Sequence, residues 1–236
     1  MAPRMDIHSI YRPFFAHFRG KRIDRFSSSF PITASTTILD VGGCLGYWRY
    51  RPISAEVTLL NQPNYPSPSA EQLGGFKFVH GDGTNLEYAD KSFDIAHSNS
   101  VIEHVSTWER QVAFAREIRR VAHGVWVQTP AKYFPVECHT LDPFFHLLPK
   151  SWRRHLLRNG TLWGWLSRPT QAEVDEFLET TRLLTYREMR ELFPDCTILI
   201  ERFAGIPKSF IAYRGLPAPA TQSPRAPAPN LSHAAV

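Results

Sequence analysis

The sequence has few cysteines and lacks the patterns of several specialised protein classes. Only three cysteines, Cys44, Cys138 and Cys196, occur among 236 residues, and they form no CxxC pair. This spacing argues against a disulfide framework or a zinc site, and it is typical of proteins from a reducing compartment. No apolar run approaches the roughly 18 residues that a membrane-spanning helix needs. Charged residues near the N-terminus do not fit a secretory signal, so we expect a cytoplasmic protein without a bound metal.

The remaining composition is that of one globular domain. With 43% hydrophobic and 13% aromatic residues, the chain can bury one sizeable core. The end of the chain, residues 215–236, is rich in proline, alanine and serine and shows no apolar periodicity. Such a segment cannot bury enough surface to offset its ordering entropy, so we predict a disordered tail.

Short apolar runs alternate with helical patterns along the rest of the chain. The predicted strands are Thr37–Val41, Val57–Asn61, Phe76–His80, Phe93–Ser98, Val125–Thr129, Thr197–Phe203 and Lys208–Arg214. Apolar spacing of three to four residues predicts an amphipathic helix over Trp108–Val121, with Val112 on its apolar side. Thr185 and Glu188 form a capping-box pattern at the start of another helix. Strands alternating with helices predict a largely parallel sheet, whereas the short connection between the last two strands predicts an antiparallel hairpin.

A glycine-rich segment follows the first predicted strand. It reads ILDVGGCLGYW over residues 38–48, and it lies where a strand ends and a helix should begin. Glycines allow a ligand to approach the backbone closely, and a helix N-terminus offers free N–H groups to an anion. The acidic residue before the first glycine, Asp40, suits an ammonium group better than a pyrophosphate.

This segment resembles the LDVGCGTG signature of class I S-adenosylmethionine-dependent methyltransferases. HGDGTNLEYADKSFDIAHSNSVIEHV, residues 80–105, is similar to the family's adenine-binding turn and fourth strand, and FPDCTILIERFAGIPKSFIAYRG is similar to its terminal strand pair. The resemblance implies a Rossmann-like α/β fold with seven strands in the order 3-2-1-4-5-7-6, the last one antiparallel. The matching motifs delimit a methyltransferase domain over 37–214, and we interpret the segments outside them as a helical cap over residues 1–36 and a lid insertion over 130–182.

The resemblance also implies a set of cofactor-binding residues. Asp40 would hold the ammonium of S-adenosylmethionine, directly or through water, and its removal would weaken binding at least tenfold. The other implied contacts are the glycine loop (Gly42, Gly43, Gly46), the ribose position Asn61, the adenine turn (Asp82, Gly83) and the exit of the fourth strand (Ser98, Asn99). Two positions depart from the family pattern, because Cys44 replaces the middle glycine and Asn61 replaces a carboxylate. Each residue is also an ordinary turn residue, which is the simpler interpretation.

Three residues are candidates for a general base, which is needed only if the acceptor must lose a proton. His104 follows the fourth strand, and a histidine there could equally cap or pack the next helix. Glu137 and His139 follow the fifth strand, on the side of this fold where the substrate is expected.

Two segments combine aromatic and basic residues. Residues 143–170 contain five cations and no acid, interleaved with five aromatic side chains: Phe144, Phe145, Trp152, Trp163 and Trp165. The N-terminal 30 residues hold six cations and two acids. We favour a lid whose aromatic residues pack on the core. The alternatives are an acidic or amphipathic acceptor and peripheral contact with an anionic membrane, whereas no motif for nucleic acid is present.

The sequence therefore predicts an enzyme that transfers a methyl group from S-adenosylmethionine to the oxygen or nitrogen of a small molecule. S-adenosylhomocysteine would be the other product. One competing hypothesis is a non-catalytic binding protein with the same fold, in which Cys44 and Asn61 mark a weakened cofactor site. The other is a methyltransferase that acts on a lipid-linked substrate at a membrane surface. The sequence identifies neither the acceptor nor the oligomeric state.

Overall fold

The computed structural model describes residues 12–49, 51–137, 140 and 142–217. For residues 12–18 it describes the backbone alone. Its centre is a seven-stranded sheet with the strand order β3-β2-β1-β4-β5-β7-β6. All neighbouring strands are parallel except for β7, which is antiparallel to both β5 and β6. The predicted fold class and strand order are thus confirmed.

The strands lie within three residues of their predicted bounds. They are β1 (Thr37–Val41), β2 (Glu56–Asn61), β3 (Lys77–His80), β4 (Phe93–Asn99), β5 (Ala122–Pro130), β6 (Thr197–Phe203) and β7 (Ile206–Arg214). The predicted hairpin of β6 and β7 turns at Ala204 and Gly205, both with positive φ. This conformation matches the twist of a two-residue hairpin loop, and it is the reason for a glycine at the second position.

The helices cover both faces of the sheet and form the lid. They are α1 (Arg12–Ser29), α2 (Leu45–Trp48), α3 (Ala70–Leu73), α4 (Trp108–Val121), α5 (Lys150–Asn159), α6 (Leu162–Ser167), α7 (Gln171–Thr180) and α8 (Tyr186–Leu192). The predicted capping box is present, since Thr185 accepts a hydrogen bond from the Glu188 amide and Glu188 accepts one from the Thr185 amide. The helix α4 has the predicted bounds, but Val112 is exposed and Phe114 occupies the buried side instead.

The sheet separates two hydrophobic cores. On one face, Ile23 and Phe26 of α1, and Phe30 just after it, pack with Trp48 of α2 and Trp126 of β5. On the other face, α4 and α8 pack on the opposite side chains of β1, β4, β5 and β7. Burying apolar surface on both faces is what a parallel sheet requires. The helix α1 is therefore part of the main core.

The lid between β5 and α8 has a small core of its own. Phe145, Leu157, Val174 and Leu178 are buried together, and the ring of Trp163 stacks on Phe177. Trp152, Trp165 and Phe144 are exposed. The expectation that the aromatic residues of this segment pack on the core is therefore wrong for these three.

The packed chain reaches slightly beyond the predicted boundary at Arg214. Leu216 packs against the core that contains Phe30 and Trp126. The predicted tail beyond Pro217, and the N-terminal part of the predicted cap up to Tyr11, lie outside the described residues. Within the described part of the chain, no helix is long and apolar enough to cross a membrane.

Candidate functional site

A cavity of about 520 Å³ opens beside the carboxyl ends of β1, β2 and β4. Its wall includes Val41 and Gly42 from the end of β1, Asn61 from β2, and the turn formed by Asp82 and Gly83. Cavities of this size accommodate a nucleoside-sized ligand. The strand order reverses between β1 and β4, and ligands of open α/β sheets bind at such a switch point.

The glycine loop is shaped by close contacts with its surroundings. Gly42 has a φ of 74°, and a Cβ built there would lie 2.5 Å from Val101. A Cβ on Gly43 would lie 1.8 Å from the carboxylate of Asp40. Gly46, in contrast, has no atom closer than the Cys44 sulfur at 4.0 Å. Contacts within the protein therefore require glycine at positions 42 and 43, whereas no such contact requires glycine at position 46.

Cys44, which replaces the family's middle glycine, fits the loop without strain. Its φ of −130° and ψ of 148° are extended values that any residue adopts, and its side chain is exposed. Asn61 has a related structural role, because its Nδ2 donates to the carbonyl of Gly43 at 2.6 Å. This bond ties the loop to β2 and leaves the amide oxygen of Asn61 as the group for a ligand.

Asp40 lies beneath the loop and not in the cavity wall. Its side chain is 1% exposed, and Oδ2 accepts a hydrogen bond from Nε1 of Trp48 at 2.7 Å. Oδ1 lies 2.7 Å from Nδ1 of His97, which pairs with Asp40 across β1 and β4. Both oxygens are thus occupied by buried side chains. The predicted contact with an ammonium group remains a prediction, and the geometry favours an indirect role through the loop.

Asp82 stands at the other end of the cavity with its charge well stabilised. Its Oδ1 accepts bonds from the amide and the hydroxyl of Thr84, and Oδ2 accepts one from Arg110 at 3.2 Å. Burial alone would raise the pKa of Asp82, but the bonds from Thr84 and the Arg110 cation outweigh it and lower this pKa. The carboxylate therefore stays ionised at neutral pH and well into the acidic range.

The residues at the exit of β4 point to different sides. Ser98 is buried and donates to the carbonyl of Val41, and Asn99 lies beneath α1. Ser100, which has a φ of 55°, lines the cavity and donates its hydroxyl to Oε1 of Gln128. Sequence reasoning missed Ser100 because no side-chain pattern predicts a positive φ at a serine.

Of the three base candidates, the structure brings one to the cavity. His104 lies in its wall, and Nδ1 is 3.5 Å from the hydroxyl of Thr181 at the end of the lid. Glu137 is buried inside the lid, where it accepts a hydrogen bond from the amide of Thr140, and it does not line the cavity. His139 lies outside the described residues, as does Cys138. No group of metal-ligating side chains occurs in the described residues.

A polar cluster lies under α1 at the same edge of the sheet. The guanidinium of Arg22 donates to Glu201, Asn99, Gln128 and Ser209, which come from four adjacent strands. No sequence motif indicated this cluster, because its members are up to 187 residues apart. We call it the Arg22 cluster.

Polar atoms without a hydrogen-bond partner lie around the Arg22 cluster. Nε2 of Gln128, the hydroxyl of Tyr47 and Nε2 of His97 are buried, and none has a hydrogen-bond partner in the structure described. Burial raises the pKa of Tyr47 strongly, so its hydroxyl keeps its proton. The Arg22 cluster adjoins the cavity through the Ser100–Gln128 hydrogen bond.

Comparison with known proteins agrees with this architecture. Residues 39–124 match the family model described as a methyltransferase domain. A candidate O-methyltransferase from Nostoc punctiforme gives a TM-score of 0.53 at 14% identity, over 86% of this chain and 57% of that one. A candidate zinc-dependent alcohol dehydrogenase from Rhodobacter sphaeroides gives 0.51 at 11% identity, over 80% of this chain and 87% of that one. At these identities the two structures establish a shared fold only.

A further solved structure, a SAM-dependent methyltransferase from Methanosarcina mazei, has a TM-score of 0.44 at 17% identity and covers 79% of this chain and 95% of that one. No curated protein sequence matches the chain significantly. The chain spans 57% of the length of the Nostoc protein, so the two proteins are not equivalent in extent.

Proposed function

Because residues 39–124 match a methyltransferase domain, we propose that the chain is a class I S-adenosylmethionine-dependent methyltransferase and that the cavity beside the glycine loop binds this cofactor. We further propose that the methyl group goes to an oxygen or nitrogen of a small acidic or amphipathic molecule. The observation that carries the proposal is the cavity itself, which joins the glycine loop, Asn61 and the Asp82 turn in one space.

The residues of the cavity fit the parts of the cofactor. Asp82 and the Gly83 amide would receive the adenine, and the amide oxygen of Asn61 would accept a hydrogen bond from the ribose. The loop from Gly42 to Gly46 would hold the methionine part with its backbone, with Asp40 positioning that loop from below. When bound, S-adenosylmethionine supplies an electrophilic methyl group on a sulfonium.

The protein's own contribution is alignment, exclusion of water and a proton acceptor. Well-oriented reactants can gain roughly 7–11 kcal/mol relative to free reactants. Thr180 at the end of α7 forms part of the cavity wall, so the lid closes one side of the site. His104 would accept a proton from a hydroxyl or ammonium acceptor at the mouth of the cavity.

The acceptor side would lie beneath α1, at the Arg22 cluster. Its uncommitted groups, Nε2 of Gln128 and the Tyr47 hydroxyl, are donors, whereas the charge of Arg22 is balanced by Glu201. Two buried donors without partners favour an acceptor that offers oxygen atoms to them, such as a carboxylate. A matched panel of acceptors with and without a carboxylate, assayed by release of S-adenosylhomocysteine, tests this preference.

Cofactor binding can be tested without knowing the acceptor, through the thiol of Cys44. Because Cys44 is exposed in the glycine loop, we expect saturating S-adenosylhomocysteine to slow its alkylation by at least about tenfold. Peptide mass spectrometry after timed treatment with iodoacetamide measures this rate. Cys196 is the internal control, since burial raises its pKa to about 12 and keeps it unreactive with or without ligand. Equal alkylation of Cys44 in both conditions would contradict binding at this loop.

The role of His104 is tested by His104→Gln. General-base catalysis contributes about 10²–10⁴-fold, so we expect turnover to fall by that order while the affinity for S-adenosylhomocysteine stays unchanged. Because His104 is exposed, the variant should melt at the wild-type temperature. Unchanged turnover would leave His104 as a residue of the cavity wall.

Cofactor binding without release of product from any acceptor would support the non-catalytic alternative.

A further inference from the structure

The cavity beside the glycine loop offers few acceptor groups to a cation. Among the described residues that line it, Asp82 is the only acid, and its carboxylate already accepts hydrogen bonds from Thr84 and Arg110. Asp40 lies outside this wall, and both of its oxygens are within hydrogen-bond distance of buried side chains. A ligand with an ammonium group therefore needs another acceptor near the glycine loop, because a cation taken out of water must be hydrogen-bonded.

Ser100, at the exit of β4, lies where such an acceptor is needed. It lines the cavity, and the next residue, Val101, contacts the glycine loop, because a Cβ on Gly42 would lie 2.5 Å from its side chain. The φ of Ser100 is 55°, a value that is uncommon for residues other than glycine and that is concentrated at functional sites. The amide of Ser100 donates to the carbonyl of Gln128 at 3.0 Å, so β5 holds this backbone in place.

The direction of the Ser100 hydroxyl follows from the Arg22 cluster. A guanidinium only donates hydrogen bonds, so the atom of Gln128 that lies 3.1 Å from Arg22 is the carbonyl oxygen, Oε1. The hydroxyl of Ser100 lies 3.0 Å from the same oxygen and donates its proton to it. A serine hydroxyl has one proton and two lone pairs. With its proton committed to Gln128, Ser100 can accept a hydrogen bond from a ligand but cannot donate one.

An oxygen that only accepts selects a ligand that donates, and a cationic donor forms the stronger hydrogen bond. We propose that Ser100 accepts a hydrogen bond from the ammonium of S-adenosylmethionine, and that Arg22 acts through Gln128 to position the Ser100 hydroxyl. This inference rests on the proposed function, because it places one group of the cofactor within the same cavity. The helix α1 thereby contributes to cofactor binding through a residue that does not touch the cofactor.

The test compares two ligands that differ in the amino-acid part. S-Adenosylhomocysteine carries the ammonium, whereas methylthioadenosine has the same adenine, ribose and sulfur without it. Ser100→Gly removes the hydroxyl and is compatible with the positive φ, so the fold is retained. Because a hydrogen bond to a charged group is lost, we expect the affinity for S-adenosylhomocysteine to fall at least about tenfold. The affinity for methylthioadenosine should stay at the wild-type value, and calorimetric titration measures both.

Ser106→Gly is the matched control from the same loop. Ser106 also has a positive φ, 65°, but it is not among the described residues that line the cavity. The substitution gives the backbone the same additional freedom there, so both ligands should bind as they do to the wild type. Equal losses of affinity in Ser100→Gly and Ser106→Gly would attribute the effect to loop mobility and overturn the assignment.

The positioning role is tested by Gln128→Met, alone and combined with Ser100→Gly. Methionine is unbranched and of similar length, but it offers no oxygen to the Ser100 hydroxyl, which can then turn its proton into the cavity. The affinity for S-adenosylhomocysteine should fall, whereas that for methylthioadenosine should not. Ser100→Gly should then cost less in this background than in the wild type, which is a non-additive double-mutant cycle. Additive losses would contradict the positioning role.

The outcomes separate this inference from the proposed function. A wild-type protein that binds neither ligand would overturn both. If the wild type binds both ligands and Ser100→Gly keeps the wild-type affinity for S-adenosylhomocysteine, the assignment of Ser100 fails alone and the cavity remains the cofactor site.

Discussion

The variant Gly46→Ala is expected to fold like the wild type and to lose most of its affinity for S-adenosylmethionine. In the structure nothing lies closer than 4.0 Å to a methyl group at this position, and no positive φ requires glycine there. Alanine is about 1 kcal/mol better than glycine inside a helix, and Gly46 is the second residue of α2, so the fold should gain slightly. A ligand seated against this backbone would collide with the new methyl group. Overpacking costs about 1–3 kcal/mol, which raises the dissociation constant roughly 5- to 150-fold.

The comparison variant is Gly42→Ala, which tests the opposite situation in the same loop. Its methyl group would lie 2.5 Å from Val101 on a backbone with φ of 74°, so we expect a lower melting temperature. Calorimetric titration with S-adenosylhomocysteine and thermal melting of both variants measure the two effects separately. Wild-type affinity of Gly46→Ala would show that the loop does not hold the ligand, and the proposed cofactor placement would fail.

Much of the fold could be predicted because its signals are local. The runs TILDV and TILIERF give β1 and β6 with their observed bounds, since short apolar runs bounded by turns form strands. The connection between β6 and β7 is too short for a crossover helix, so an antiparallel hairpin was the available solution. The capping box at Thr185 is also local, because its two hydrogen bonds span three residues.

The site is less predictable, because its contacts join distant parts of the chain. Asp40 meets His97 only because β1 pairs with β4, and no pattern in the sequence marks His97 as a partner. The Arg22 cluster likewise depends on the stacking of four strand ends under α1. Resemblance to a family predicted that Asp40 contacts the cofactor. The family motif could not reveal Trp48 and His97, the neighbours that occupy its carboxylate in this chain.

The lid shows a second limit of sequence reasoning. Composition identified residues 143–170 as aromatic and basic, but it could not tell which aromatic rings are buried. Trp163 and Trp165 are two residues apart, and the first stacks on Phe177 while the second faces solvent. On a short helix, burial is decided by the neighbouring helix α7, whose position is a tertiary property.

We expect Asp40→Ala to destabilise the fold by about 3–5 kcal/mol, because it removes the acceptor for two buried donors. Nε1 of Trp48 and Nδ1 of His97 both lie 2.7 Å from the Asp40 carboxylate, and both side chains are almost fully buried. No water reaches them to replace the lost bonds, so each donor contributes its desolvation cost. Urea denaturation measures the change. Asp24→Ala is the matched control, since Asp24 forms an exposed pair with Arg51 and should change stability by less than about 1 kcal/mol.

The same variant also decides how Asp40 affects the cofactor. The Asp40 carboxylate lies directly beneath Gly43, so its loss should loosen the glycine loop and weaken cofactor binding as a consequence of the altered loop. His97→Ala removes one partner of Asp40 without touching the loop, and it should lower both stability and affinity in the same direction. If Asp40→Ala instead keeps the wild-type stability and loses affinity at least tenfold, Asp40 contacts the ligand itself. An indirect role therefore requires that stability and affinity fall together, because both depend on one buried carboxylate.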